Sequence, residues 1–259
     1  MPGYLGRMDG VHITLLKEVD LRDSVLIDGF PSVGLVSSIV ANYLVELLDL
    51  EQVGVVDSSQ FPTVALVKGG LPLHPVRIYA GGQETGGRPV VIFISEFQPA
   101  ATMIKDIADA VLDWAEAKGC SLLVCPEGLI VDQGAATNET VGVFGVGSTE
   151  ATNAMLRESG VPIFEEGVIT GVAGVLLNEG RKRGFDVMCI LSEAHPDFPD
   201  ARAAARVIET VDKVLLKMGL DTKPLYEEAG RIENQLKSIN RQALDVQQPE
   251  ESRPSSMYG

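Results

Sequence analysis

The stretch Ser24-Val25-Leu26-Ile27-Asp28-Gly29-Phe30-Pro31-Ser32-Val33-Gly34, with the apolar run behind it, restricts the possible folds more than any other part of the chain. Val25, Leu26 and Ile27 are continuously apolar, which suits a strand covered on both faces, and Asp28-Gly29 ends the run. From Val36 the apolar residues fall at Ile39, Val40, Tyr43, Leu44, Leu47 and Leu48, one stripe at helical spacing. A strand, tight turn and helix follow from this, with Ser32 as helix cap and Gly29 and Gly34 where backbone must pass closely. A glycine turn entering a helix invites a phosphate-loop reading, because the first helix amides attract anions. The residues argue against it: no Gly-x-Gly-x-x-Gly pattern is present, and no Lys-Ser/Thr follows the last glycine.

The same alternation continues along the chain. Strands are predicted at 53–57, 90–95, 121–125, 141–146 and 186–191, with 64–67 and 76–80 as a hairpin-like pair and 161–164 as a short edge. Helices are predicted at 104–118, 149–158, 167–178 and 199–218, with His12 in an N-terminal strand and 81–87 as a surface loop. Strands alternating with helices predict an α/β domain over 1–219, three-layered, with a mostly parallel sheet covered by helices on both faces. A C-terminal helix over 220–240 presents Leu225, Ala229, Ile232, Leu236 and Ile239 as a narrow seam, suited to the domain surface or to a subunit contact. From 241 to 259 the composition turns to Gln, Pro, Glu, Ser and Arg, which cannot offset the entropy of ordering and reads as a flexible tail.

With 36 acidic against 21 basic residues the formal charge is −15, which argues against nucleic acid or an anionic membrane as partner. No apolar run is long enough to span a bilayer, and Met1 to Gly10 lacks the layout of a leader, so a cytoplasmic location is expected. Cys120, Cys125 and Cys189 lie in or beside strands at no framework spacing and read as buried small hydrophobes.

Acidic residues stand at or just after several strand ends: Asp28, Asp57, Glu96, Glu127 and Glu193. In an open α/β sheet that end lines the ligand crevice, where paired carboxylates can hold a metal or act as acid and base. The simpler expectation is that they complement the helix N-termini that follow, at roughly 0.3 to 1 kcal/mol each, so that substituting one lowers stability only slightly. His195 precedes a helix for which Asp197 or Asp200 is a suitable cap and Pro199 a suitable first-turn residue. His12 and His74 have no ligand-type neighbour at metal spacing. The run from Gly142 to Thr149 reads as a glycine-bent strand with Ser148 as the helix cap, since no lysine completes a phosphate loop. No catalytic residue, cofactor or metal is assigned.

Residues 29–36, Gly-Phe-Pro-Ser-Val-Gly-Leu-Val, resemble the opening motif of the proteasome assembly chaperone family. Ser95-Glu96-Phe97-Gln98-Pro99, the stretch from Ile169 to Leu177 and the Pro-Asp-Ala pattern of 196–205 follow in the same order, so the resemblance covers most of 11–235. It implies a nucleoside phosphorylase-like fold without that group's active-site residues, and a homo-oligomer. The last three residues, Met257-Tyr258-Gly259, look like the hydrophobic-tyrosine-any motif by which such chaperones and activators engage the α subunits of the proteasome core particle. The chemistry fits a recessed pocket: an apolar side chain, an aromatic hydroxyl and a carboxylate for a lysine. The implied function is an assembly chaperone or ATP-independent activator without catalysis. The alternative is a hydrolase or phosphorylase using the strand-end crevice on a nucleoside-like or phosphorylated small molecule.

Overall fold

The computed structural model describes residues 10–81, 88–130 and 142–232. Its elements in chain order are β1 (Val11–Leu15), β2 (Val25–Gly29), α1 (Val36–Leu47), β3 (Glu51–Ser58), β4 (Leu66–Lys68), β5 (Leu71–Leu73), β6 (Val76–Gly81), β7 (Val90–Ser95), α2 (Ile104–Lys118), β8 (Leu122–Ile130), β9 (Val143–Gly147), α3 (Glu150–Glu158), α4 (Gly171–Arg183), β10 (Val187–Ala194) and α5 (Ala201–Val211). A π-helical turn, Asp212–Leu216, extends α5, and a further helix is described over 223–232.

Eight strands form one sheet in the order β1-β3-β6-β7-β2-β8-β10-β9. The expectation of a mostly parallel sheet is corrected here. Only the β7-β2, β2-β8 and β8-β10 pairings are parallel, while β1, β3 and β6 extend one side and β9 closes the other, all in antiparallel pairing. The predicted partnership of 64–67 with 76–80 also fails. β4 instead pairs with β5 in a separate two-stranded sheet, and β6 lies between β3 and β7. An apolar run states that a strand is buried but not which edge it joins, and that is where the sequence misled.

Every residue of β2 and β7 is buried, as expected for the centre of a covered sheet. Strand parity then divides the core. Val25, Ile27, Ile92, Val124 and Ile190 face α1 and α5, whereas Leu26, Phe93, Leu123, Cys125 and Cys189 face α2 and α4. The three-layer arrangement therefore stands, and all three cysteines are buried thiols. Helix α4 begins at Gly171, later than expected, because 167–170 approach it in non-helical conformation. Among the described residues no helix is long and apolar enough to cross a membrane. Residues 82–87, expected as a surface loop, and 131–141 lie outside the described residues, as do 233–259, which include the end of the expected C-terminal helix and the expected tail.

Candidate functional site

The turn after β2 is held from three sides. Asp28 accepts the Phe30 amide on Oδ1 at 3.0 Å, and Ser32 Oγ accepts the Ser37 amide at 3.1 Å. Ser32 thus serves the first turn of α1 as expected, although a 3-10 turn, Val33–Leu35, intervenes and Leu35 occupies the boundary position. Gly34 sits at φ 61°, and a Cβ there would come within 2.9 Å of the His195 carbonyl. Gly34 O accepts the Asp200 amide at 2.8 Å, tying this turn to the loop after β10.

That tie explains the histidine motif. Asp200 caps α5 by accepting the Ala203 amide on Oδ1 at 2.9 Å, and its Oδ2 takes the His195 amide at 3.0 Å. The His195 ring stacks on Phe198 with centroids 4.7 Å apart. In the run before α3 the cap is Thr149 rather than Ser148, in a reciprocal box with Thr152. Ser148 Oγ instead donates to Phe185 O at 2.7 Å and accepts the Val187 amide at 2.8 Å, which fixes the start of β10.

Because β3 is antiparallel to β6 and β6 to β7, β3 points the same way as the parallel strands. All five strand-end carboxylates therefore stand toward one end of the sheet, yet only two converge. Glu96 pairs with the guanidinium of Arg77, a buried residue that also donates to His74 O at 2.8 Å and to Tyr79 Oη at 3.1 Å. Asp57 is exposed and accepts its neighbour's amide, from Ser58, at 2.8 Å. Glu193 lies farther along β10 and does not line the cavity described next. None of these arrangements is the helix-terminus role expected of them.

Asp28 and Glu127 face a cavity of about 520 Å³ between the β2 turn and the start of α4. Its wall is formed by Phe30 to Val33, Gln98, Gly128 to Ile130 and Val168 to Val172. Three of the segments that carry the family resemblance, 29–36, 95–99 and 169–177, thus meet at one place. Close approach explains Gly128: a Cβ there would lie 2.2 Å from Val33 O. At 3% exposure Asp28 loses most of its hydration, and burial pushes its carboxyl from 3.8 up to about 7 against the opposing pull of the Phe30 amide and the Cys125 thiol. Burial also raises Glu127 well above the usual carboxylate value, with the Asp28 charge adding to the shift. The Cys125 and Cys189 thiols are raised by burial first and then by these carboxylates, so both remain protonated and unreactive.

Sequence reasoning singled out Asp28 and Glu127 but missed Cys125, Gln98 and Thr170 as their neighbours. Parity would have found the thiol, since Leu123, Cys125 and Glu127 alternate onto the face that Leu26 and Asp28 share. Among the described residues no group of three or more His, Cys, Asp or Glu side chains is arranged to hold a metal.

Residues 26–240 match the PAC2 family, which is most of the chain. The chain belongs to the PAC2 family. A relative of known structure, Pyrococcus furiosus PbaA, described as an archaeal homolog of proteasome-assembly chaperone, superposes with a TM-score of 0.80 at 31% identity, covering 92% of this chain and 94% of that one. P. furiosus PbaB, described as an archaeal proteasome activator, shares the fold at a TM-score of 0.77 and 23% identity, covering 90% of this chain and 100% of that one. An uncharacterized protein of Methanocaldococcus jannaschii is 26% identical over 239 residues, 92% of this chain and 94% of its own.

Proposed function

We propose that this PAC2 protein is a non-catalytic proteasome assembly chaperone or ATP-independent activator, acting in the cytoplasm on the α subunits of the core particle. The observation that carries the reading is the 31% identity to a proteasome-assembly chaperone homolog across 92% of the chain. Met257, Tyr258 and Gly259, outside the described residues, are the proposed contact. Met257 would fill a groove, Tyr258 would supply ring and hydroxyl, and the Gly259 carboxylate would meet a lysine between neighbouring α subunits. In a core-particle pull-down, deleting 257–259 or making Tyr258→Ala is expected to abolish capture and leave thermal unfolding unchanged. Capture that survives the deletion would overturn the tail assignment.

One short tail binds weakly, and several tethered to one body raise the effective concentration at a ring of repeated pockets. A homo-oligomer is therefore expected, as the family resemblance also implies. Sedimentation at micromolar concentration checks this, and a stable monomer that still binds the core particle would count against it. The phosphorylase form of the competing reading, and its hydrolase form on a phosphorylated substrate, require a place for phosphate. Among the described residues, the cavity wall offers two carboxyls and no Lys, Arg or His, a poor setting for an anionic substrate.

A further inference from the structure

We propose that the cavity at the end of β2 and β8 binds a small organic cation, a primary ammonium or guanidinium carried on a short apolar body, held by Asp28 and Glu127. This site lies apart from the tail and is independent of the core-particle reading. Its volume, about 520 Å³, is in the range of small-molecule pockets. Its lining runs from buried residues, Asp28, Phe30 and Leu191, to exposed ones, Gln98, Thr170, Ile130 at 60% exposure and Val168 at 80%, so polar and apolar side chains share the mouth.

Charge selects the head group. Asp28 is 3% exposed, and the partners the structure gives its carboxyl, the Phe30 amide and the Cys125 thiol, are both uncharged. Glu127 draws on the Gly128 amide, again a neutral donor. Two acids brought together in a cavity with no cation among its described lining residues are costly to charge, and each resists ionisation for that reason. An incoming ammonium or guanidinium supplies the missing charge and makes hydrogen bonds stronger than those to neutral donors. Leu129, Ile130, Val168 and Ile169 offer apolar surface to the methylene body behind such a head group. The opposing influence is the start of α4 at Gly171, whose first amides favour an anion. That effect is worth less than a full charge and faces two carboxyls.

A proton balance follows. The titratable groups facing Asp28 are Cys125 and Glu127 from β8 and Cys189 from β10. Both thiols stay neutral, so the cation takes the place of a proton on the carboxyl pair. Binding should therefore strengthen as pH rises from 6 to 8 and should release protons.

The test uses the full-length protein and four probes: butylammonium, butylguanidinium, neutral 1-butanol and inorganic phosphate. Calorimetry in two buffers of different ionisation heat reads affinity and proton release together. The expected result is saturable binding of both cations, with proton release, and no binding of butanol or phosphate. Glu127→Gln should weaken the cations by about thirtyfold or more, the usual loss when one partner of a desolvated ion pair is truncated. Binding of phosphate in preference to the cations, equal binding of butanol, or no binding of any probe at millimolar concentration would each overturn the proposal. The probe series on the wild-type chain decides the matter even where the variant fails to fold. A titration with an Ac-Gly-Lys-Gly-NH2 peptide separates the sources: weaker binding than butylammonium assigns a free amine, and stronger binding assigns the lysine of a partner.

Discussion

Gly29→Ala is expected to destabilise the fold strongly. An ideal Cβ on Gly29 would lie 2.4 Å from Phe93 O and 2.5 Å from the Ala41 Cβ. One obstacle is the backbone of β7, paired with β2 through Gly29 and Ile94, and the other is the buried face of α1. Neither is the free end of a flexible side chain, so relief requires the helix to back away from the sheet. Overpacking in a formed core costs about 1 to 3 kcal/mol, and a contact this short against backbone belongs at or above that limit. Against a total stability of roughly 5 to 15 kcal/mol, the loss should appear as a large drop in the denaturant midpoint or as insoluble protein. Gly230→Ala is the matched control. It lies in the helix over 223–232, a Cβ there meets nothing within 4 Å, and alanine favours helix, so its midpoint should hold or rise. A Gly29→Ala protein as stable as that control would show that α1 does not seat on β2 as described.

Asp28→Asn is expected to stabilise the protein at pH 8, against the slight loss expected for a helix-start acid. The carboxyl moves from 3.8 to about 7 on folding. Between those values the folded state holds a proton that the unfolded chain has released. Stability from this group is therefore complete below about pH 4 and is lost as pH rises to about 7, at roughly 1.4 kcal/mol per unit. The full span comes to roughly 4 kcal/mol, and Glu127 titrates beside it. Asparagine keeps the oxygen that accepts the Phe30 amide and never pays for ionisation. Urea unfolding of both proteins at pH 4 and pH 8 gives the check: the two midpoints should be close at pH 4, and the variant's should lie well above wild type at pH 8. A variant less stable at pH 8 than wild type would mean that the carboxylate is satisfied in its charged form.

The layers are legible in the amino-acid order alone, for two physical reasons. Continuous apolar runs such as Val25 to Ile27 and Val90 to Ile94 require cover on both faces, and the stripe through Val40 and Leu44 must pack on them. Local chemistry was legible in part: Asp200, one of the two caps offered, caps α5, and Gly119, in the left-handed region, ends α2, but Thr149 rather than Ser148 caps α3. Sheet order was not, because any edge offers the same hydrogen bonds, so the antiparallel arm of β1, β3 and β6 and the separate β4-β5 pair came only with the structure. The fates of five acids with the same sequence position depended on tertiary neighbours too. Glu96 meets Arg77 across paired strands, whereas Asp28 and Glu127 alternate onto one face and lose water together. Burial and partnership are properties of what lies across the sheet, and a carboxylate's charge follows from them rather than from its place in the chain.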